Sequence, residues 1–243
     1  MEKIYEVIKA HDHMELASIA NTERDTLSRY SEIMDRPLNM AAREGCIDCC
    51  ATLVAAGAPV GHGSIDDIGV FSALFVAAGA DKLECFKWLA EHGFPMDPTP
   101  CSCEFTPFTY AIYKSSRSVF DYLIDRVDVN FSAPRGYPPL TVALLHASDA
   151  IYYANRLLEK GADVHGKDQN GNILFKNSNG EINSIRWHVP FTAAAAKGHV
   201  EIMKALVEKG VDVHVKGFDR DAMACAKMTQ AQAAINCLKE LGY

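Results

Sequence analysis

Residues 190–210 read PFTAAAAKGHVEIMKALVEKG, and this stretch decides the fold. Pro190 suits the first position of a helix, because its φ is pre-set and its missing N–H is not needed there. Gly198 then interrupts the alanines, and from Ile202 onward apolar residues recur at the spacing of one face of a second helix. Gly210 supplies a residue that tolerates the left-handed conformation of a helix cap. The stretch therefore predicts two short helices joined by a turn.

The same pattern recurs along the chain. Pro37–Gly57 and Ala73–Gly93 keep the same spacing between the opening residue and the closing glycine. Units that begin at Pro107 and Pro139 follow the pattern more loosely. One such helix pair cannot bury its apolar face alone, so the pairs must stack on one another.

Several segments of the repeat resemble the ankyrin family motif, which begins Thr-Pro-Leu-His and ends Gly-Ala-Asp-Val-Asn. They are Thr106-Pro107, Gly198-His199-Val200-Glu201-Ile202 and Gly161-Ala162-Asp163-Val164-His165. The resemblance implies an all-α ankyrin-repeat solenoid. The chain departs from the motif where the family usually has histidine, and we expect weaker hydrogen bonding in those turns. The residues at those positions are Asn39, Phe75, Thr109, Thr141 and Thr192.

The spacing predicts one domain over 1–243, with about five core repeats between two caps. The caps are 1–36 and 222–243, and the repeats are 37–72, 73–106, 107–138, 139–189 and 190–221. The fourth repeat contains an insert at 172–188, in the finger before the last full repeat. It carries Asn179-Gly180 between apolar-rich flanks, which predicts a β-hairpin-like projection.

Composition narrows the classes of partner. The formal net charge is -7 and the pI is about 5.7, which argues against nucleic acid and against an anionic membrane. An acidic chain permits a basic protein partner. The sequence has no targeting segment and no apolar run long enough to cross a membrane, so we expect a cytoplasmic protein.

No catalytic motif is present in the sequence, which predicts a non-enzymatic protein without a cofactor. Cys46, Cys49 and Cys50 have a spacing that raises the question of metal binding. Cys49 and Cys50 fall at core positions of the repeat, where a thiol packs as a small apolar group. We therefore expect reduced, unmetallated cysteines, although Cys101 and Cys103 lie on an exposed finger where redox or metal chemistry is easier.

The resemblance also implies where a partner binds. In ankyrin proteins, partners usually dock on the concave face formed by the fingers and the exposed side of the first helices. Carried onto this sequence, that face predicts the partner-binding residues Arg43, Phe105, Tyr113, Lys114, Arg135, Tyr137 and Lys197. Phe175 and Trp187 of the insert are added as aromatic anchors. Alternatively, Phe105 and Tyr137 only pack between fingers, and Trp187 only fills the gap next to the insert.

The predicted function is therefore a protein–protein interaction module. A sharper form of this prediction is a specific inhibitor of the antitoxin or immunity type. A scaffold or adaptor fits the same fold. A ligand-binding protein or an enzyme that uses the finger insert is a third alternative.

Overall fold

A computed structural model describes residues 2–22, 37–58, 72–94, 105–131, 137–166, 189–216 and 220–243. These ranges form fourteen helices in seven consecutive pairs. In chain order they are α1 Glu2–Lys9, α2 His13–Thr22, α3 Pro37–Glu44, α4 Ile47–Ala55, α5 Ala73–Gly79, α6 Leu83–Glu91, α7 Pro107–Lys114, α8 Arg117–Leu123, α9 Pro139–His146, α10 Ala150–Glu159, α11 Pro190–Lys197, α12 Val200–Glu208, α13 Ala222–Met228 and α14 Gln232–Glu240.

The helix pairs fall into two compact units. The first unit is Met1–Leu123 with α1 to α8, and the second is Ile124–Tyr243 with α9 to α14. Within each unit the first helices of successive pairs pack on one another, and the second helices do the same. This packing confirms the stacked all-α helix pairs that the spacing predicts. The assignment of all 243 residues to a single domain stays a prediction.

The turn between the two helices contains a residue with positive φ in six of the seven pairs, whereas Ala147 after α9 has a φ of -67°. Gly45, Asp81 and Gly198 all have positive φ, between 56° and 79°. Ser115 and Gln230 take the same conformation at the equivalent place in their pairs. Only glycine adopts this conformation without steric cost. The stack therefore favours this turn even at positions where the sequence lacks glycine, although the α9–α10 pair does without it.

Proline begins four of the first helices, as predicted, and the N-terminal hydrogen bonds vary from repeat to repeat. Before α7, the Thr106 hydroxyl accepts from the Thr109 amide at 3.0 Å, and the Thr109 hydroxyl accepts from the Thr106 amide at 2.8 Å. The expected weakening is thus wrong at this turn, because a second hydroxyl completes the reciprocal cap. At α11, the Thr192 hydroxyl donates to the Val189 carbonyl at 3.1 Å. At Thr141 the hydrogen bond is missing, as expected, because its buried hydroxyl has no partner among the described residues.

Adjacent pairs of the first unit are joined by side chains at the turns. The Asp81 carboxylate accepts from the Val119 amide and from the Ser118 hydroxyl, each at 3.0 Å. The Ser116 hydroxyl donates to the Gly79 carbonyl at 3.0 Å. The start of α8 therefore receives part of its cap from the preceding repeat.

The second unit has a comparable link between its finger turns. The Asn130 side chain accepts from the Asp163 amide at 2.7 Å and donates to the Gly161 carbonyl at 3.3 Å. Asn130, His165 and His214 each lie two residues after an aspartate whose carboxylate accepts from their amide. The fingers are thus built on one recurring aspartate turn.

The cysteines among the described residues of the first unit are buried, as predicted for core positions, but they are not all reduced. Cys46 and Cys49 form a disulfide. Cys46 precedes α4 and Cys49 lies one helical turn later, so their side chains meet on one face. The expectation of reduced thiols is therefore wrong for this pair. Cys50 and Cys85 are free thiols whose sulfurs lie 3.7 Å apart, and Cys101 lies outside the described residues together with Cys103.

The predicted finger insert at 172–188 also lies outside the described residues, so its hairpin form stays a prediction. Across the ranges given above there is no strand, and the only extended pairing is an isolated bridge between Lys216 and Asp221. None of the fourteen helices is long and apolar enough to cross a bilayer.

Candidate functional site

The structure brings four of the predicted partner-binding residues into the first unit. Arg43 and Lys114 lie in the last turns of α3 and α7, Tyr113 precedes Lys114, and Phe105 lies just before α7. Tyr137 and Lys197 belong to the second unit, before α9 and at the end of α11. Arg135, Phe175 and Trp187 lie outside the described residues. These last three therefore remain predictions from sequence alone.

Helix α7 carries two tyrosines and a lysine on one face. Tyr110, Tyr113 and Lys114 follow the i, i+3, i+4 spacing that places side chains side by side on a helix. The two tyrosine rings are stacked, with centroids 6.1 Å apart. The Lys114 ammonium lies 5.6 Å and 5.2 Å from the ring centroids of Tyr110 and Tyr113. Cation–π attraction holds this lysine against the rings while its side chain stays exposed to solvent.

Two phenylalanines extend the tyrosine pair into what we call the aromatic platform, defined as Phe75, Phe105, Tyr110 and Tyr113. The Phe105 centroid is 4.9 Å from that of Tyr113 and 5.7 Å from that of Tyr110. Phe75 on α5 approaches Tyr110 at 6.0 Å. Phe105 packs on these rings and is half-exposed, so its role in partner binding stays a prediction beside the alternative that it only packs.

Gly79 makes room for the aromatic platform. A Cβ atom at this position would lie 2.4 Å from Cε1 and 3.0 Å from Cδ1 of Tyr110, and 3.2 Å from Cγ of Lys114. The Tyr110 ring therefore lies directly on the backbone of α5. Since Tyr110 keeps only 6% of its surface exposed, its ring has no open space into which it could retreat.

Besides Lys114, a charged residue of an earlier repeat acts on the aromatic platform. Burial raises the pKa of Tyr110, and the nearby Tyr113 hydroxyl raises it further, while Arg43 opposes the shift. Arg43 belongs to α3, two helix pairs before Tyr110, and its charge acts on the Tyr110 hydroxyl. The cation that lies directly over the platform is Lys114.

In the second unit Lys197 lies near two histidines. Partial burial lowers the pKa of His146, and the Lys197 charge lowers it further. Burial also lowers the pKa of His199, against the opposing effect of its hydrogen bond to the Leu144 backbone. Lys197 therefore supplies the positive charge here at neutral pH.

Sequence reasoning missed three members of the site: Phe75, Gly79 and Tyr110. Tyr110 could have been found from its spacing to Tyr113, which places both rings on one helix face. Gly79 occupies the repeat position held by Arg43 in α3 and Tyr113 in α7, which marks an unusual absence of a side chain. Phe75 was noted only as a departure from the family motif. Its contact with the next repeat has no signal in its local sequence.

These features define a class of protein: stacked helix pairs, of which the first unit carries an aromatic cluster and a lysine on its first helices. A family model for three copies of the ankyrin repeat matches residues 38–133 and 74–168, and a single-repeat model matches residues 188–218. These matches cover more than half of the chain, which belongs to the ankyrin-repeat family. Ankyrin repeats are protein–protein interaction modules, and the family is generally non-enzymatic.

The similar proteins agree with this assignment. Alpha-latrocrustotoxin-Lt1a from Latrodectus tredecimguttatus is 25% identical over 138 residues, which are 56% of this chain and 8% of the toxin. The chain thus corresponds to a small part of that protein. The human ASB11 ankyrin repeat domain superposes with a TM-score of 0.68 at 19% identity, covering 96% of each chain. The ankyrin repeat domain of Bcl-3 gives 0.61 at 18% identity, covering 97% of each. At these identities the likeness concerns the fold alone.

Proposed function

We propose that the chain binds a partner protein through the exposed side of its first helices, with the aromatic platform of the first unit as the anchor. One observation carries the proposal. Four aromatic rings from α5, α7 and the segment before α7 meet at centroid distances of 4.9–6.1 Å, and the Lys114 ammonium lies 5.2 Å from the Tyr113 centroid. Aromatic residues and arginine dominate the binding energy of protein interfaces.

The platform's rigidity also favours binding. Each ring is held by at least one other ring, and Tyr110 is fixed against the backbone at Gly79. A surface that is ordered before binding loses little conformational freedom when a partner docks. The half-exposed rings of Phe105 and Tyr113 are then available as contact area at low entropic cost.

We further propose what binding achieves. The chain acts as a specific, non-enzymatic inhibitor that occludes one partner, and a scaffold is the alternative. Capture of binding proteins on the purified chain, followed by mass spectrometry, separates these roles. One stoichiometric partner supports the inhibitor, and several partners support the scaffold. If nothing is captured, the binding proposal is wrong and a ligand-binding or enzymatic role gains support.

The platform itself is tested by Tyr113→Ala. An aromatic anchor at an interface is worth ~2 kcal/mol or more, so we expect the affinity for the captured partner to fall by about thirtyfold. Tyr122→Ala is the matched control, because Tyr122 is also half-buried but lies on the second helix α8. Equal affinities of the two variants, with both chains folded by circular dichroism, would remove the platform from the binding surface.

A further inference from the structure

Two thiols from neighbouring repeats meet inside the first unit. Cys50 on α4 and Cys85 on α6 lie 35 residues apart in the sequence, yet their sulfur atoms are 3.7 Å apart. Both side chains are buried, with 0% and 1% of their surface exposed. At the equivalent positions of the next repeat junction the chain has Phe86 and Val119, so packing of the stack alone does not call for two sulfurs.

The distance between the sulfurs allows a bond to form by movement of the side chains. A disulfide requires sulfur atoms about 2.05 Å apart, so each sulfur must move by about 0.8 Å. A rotation of about 30° about each Cα–Cβ bond supplies this movement, and side chains tolerate such a departure from a staggered rotamer. The two thiols are therefore close enough to be joined without unfolding either helix.

The surroundings of the two thiols give them different roles. Cys85 is the third residue of α6, where the positive end of the helix dipole favours a thiolate. The hydrogen bond from the Cys50 S–H group lowers the pKa of Cys85, and the charge of Lys82 lowers it further, against the opposing effect of burial. The same bond raises the pKa of Cys50, and burial adds to that shift. Cys85 is thus the nucleophile of the pair, and Cys50 keeps its proton.

We propose that Cys50 and Cys85 form a dithiol modification site, which hydrogen peroxide converts into a disulfide that joins and stabilises two neighbouring repeats. The Cys85 sulfur attacks one oxygen of the peroxide, the O–O bond breaks, and the leaving hydroxide takes up the proton released by Cys85. The Cys50 sulfur then attacks the sulfur of the resulting sulfenic acid, the S–O bond breaks, and the leaving hydroxide takes up the Cys50 proton. One peroxide and two thiols thus become one disulfide and two water molecules.

Burial of the site selects the kind of oxidant. Hydrogen peroxide needs only a small local opening of the stack, whereas a small-molecule disulfide would have to form a bulky mixed disulfide inside it. The inference does not rest on the proposed binding function. The thiols lie on α4 and α6, while the aromatic platform lies on α5, α7 and the segment before α7.

Peroxide treatment of the full chain, followed by peptide mass spectrometry, tests the inference. The treated protein is denatured, alkylated without reductant and digested with trypsin, which leaves Cys50 in peptide 44–82 and Cys85 in peptide 83–87. We expect the two peptides to become linked, and fragmentation to place the bond at Cys50. Separate peptides with alkylated Cys50 and Cys85, or a bond to another cysteine of peptide 44–82, would overturn the inference.

Cys237 on α14 provides an internal control, because it is also buried and burial raises its pKa. Cys85 should lose its capacity for alkylation about tenfold faster than Cys237, because the thiolate is the form that peroxide oxidises. Equal rates at the two cysteines would overturn the proposed site, since the pairing with Cys50 would then have no effect.

The cross-link should also be visible in thermal unfolding. It closes a loop of about 35 residues and so restricts the unfolded chain, which should raise the unfolding midpoint by about 5–15 °C. Cys85→Ala is the matched control, because it receives the same peroxide and keeps the disulfide between Cys46 and Cys49. An equal rise in Cys85→Ala, or no rise in the linked wild type, would overturn the stabilising role of this pair.

Discussion

Gly79→Ala should destabilise the first unit, although the same change in a helix normally has the opposite effect. Alanine favours a helix over glycine by about 0.5–1 kcal/mol. Here the new methyl group would lie 2.4 Å from Cε1 of Tyr110, whereas carbon atoms pack best at about 3.5–4.0 Å. The ring edge must therefore move by about 1 Å or more.

The size of the expected destabilisation depends on the contacts that hold the Tyr110 ring in place. Tyr110 is 6% exposed and contacts Phe75, Phe105 and Tyr113, so its movement disturbs the whole platform. Forcing an extra methyl group into such packing costs about 1–3 kcal/mol. After the helix preference is subtracted, we expect a net loss of about 1 kcal/mol in the free energy of unfolding. Partner affinity should fall as well, because the stacked rings lose their alignment.

A double-mutant cycle with Tyr110→Ala measures this coupling. Urea unfolding followed by far-ultraviolet circular dichroism gives the free energy of unfolding of the wild type, both single variants and the double variant. Without the Tyr110 ring, Gly79→Ala should become stabilising by about 0.5–1 kcal/mol. If Gly79→Ala stabilises the chain equally in both backgrounds, then the Tyr110 ring does not lie on α5, and the platform is described wrongly.

Three further predictions concern other parts of the chain. Asp81→Ala should cost about 0.5–2 kcal/mol of stability in thermal unfolding, because the start of α8 loses its acceptor, and an unchanged midpoint would contradict the link. Tyr243→Phe should raise the pKa of Asp221, which the Tyr243 hydroxyl holds below its usual range, and an unchanged NMR titration would contradict this. The stability from this bond is present above the unfolded pKa of Asp221 and lost as pH falls through the lower folded pKa, so variant and wild type should converge in acid. Because the bond also raises the pKa of Tyr243 to about 12, its stabilising effect should be lost again as pH rises through that value. Without reductant, the tryptic peptide that holds Cys46 and Cys49 should take up one alkyl group on its three cysteines, and three would show that the disulfide is absent.

The helix pairs could be predicted from sequence because their signals are local. Pro37, Pro107, Pro139 and Pro190 begin helices because a fixed φ and a missing N–H suit that position in any context. The closing glycines adopt positive φ for an equally local reason. These signals act within one repeat, so they can be recognised without knowing which repeats are neighbours in the structure.

The aromatic platform could be predicted only in part, because it depends on contacts between repeats. Tyr113 and Phe105 were identified from family positions that usually face a partner. The place of Tyr110 against Gly79 depends on how closely α5 and α7 approach, which the spacing of residues within one repeat does not report. The reciprocal cap of Thr106 and Thr109 was missed for a different reason, since a hydroxyl there replaces the family's histidine with its own hydrogen-bond pattern.

The left-handed turn inside six of the helix pairs shows what a consensus repeat would lose. Gly45 and Gly198 meet the backbone requirement at no cost, and a designer who built a consensus from these repeats would choose glycine at every such turn. At Gln230 that choice would favour stability. At Asp81 the same choice would remove the carboxylate that joins one repeat to the next. Individual repeats of this chain are therefore not interchangeable parts, and shuffling them would break links that the consensus does not contain.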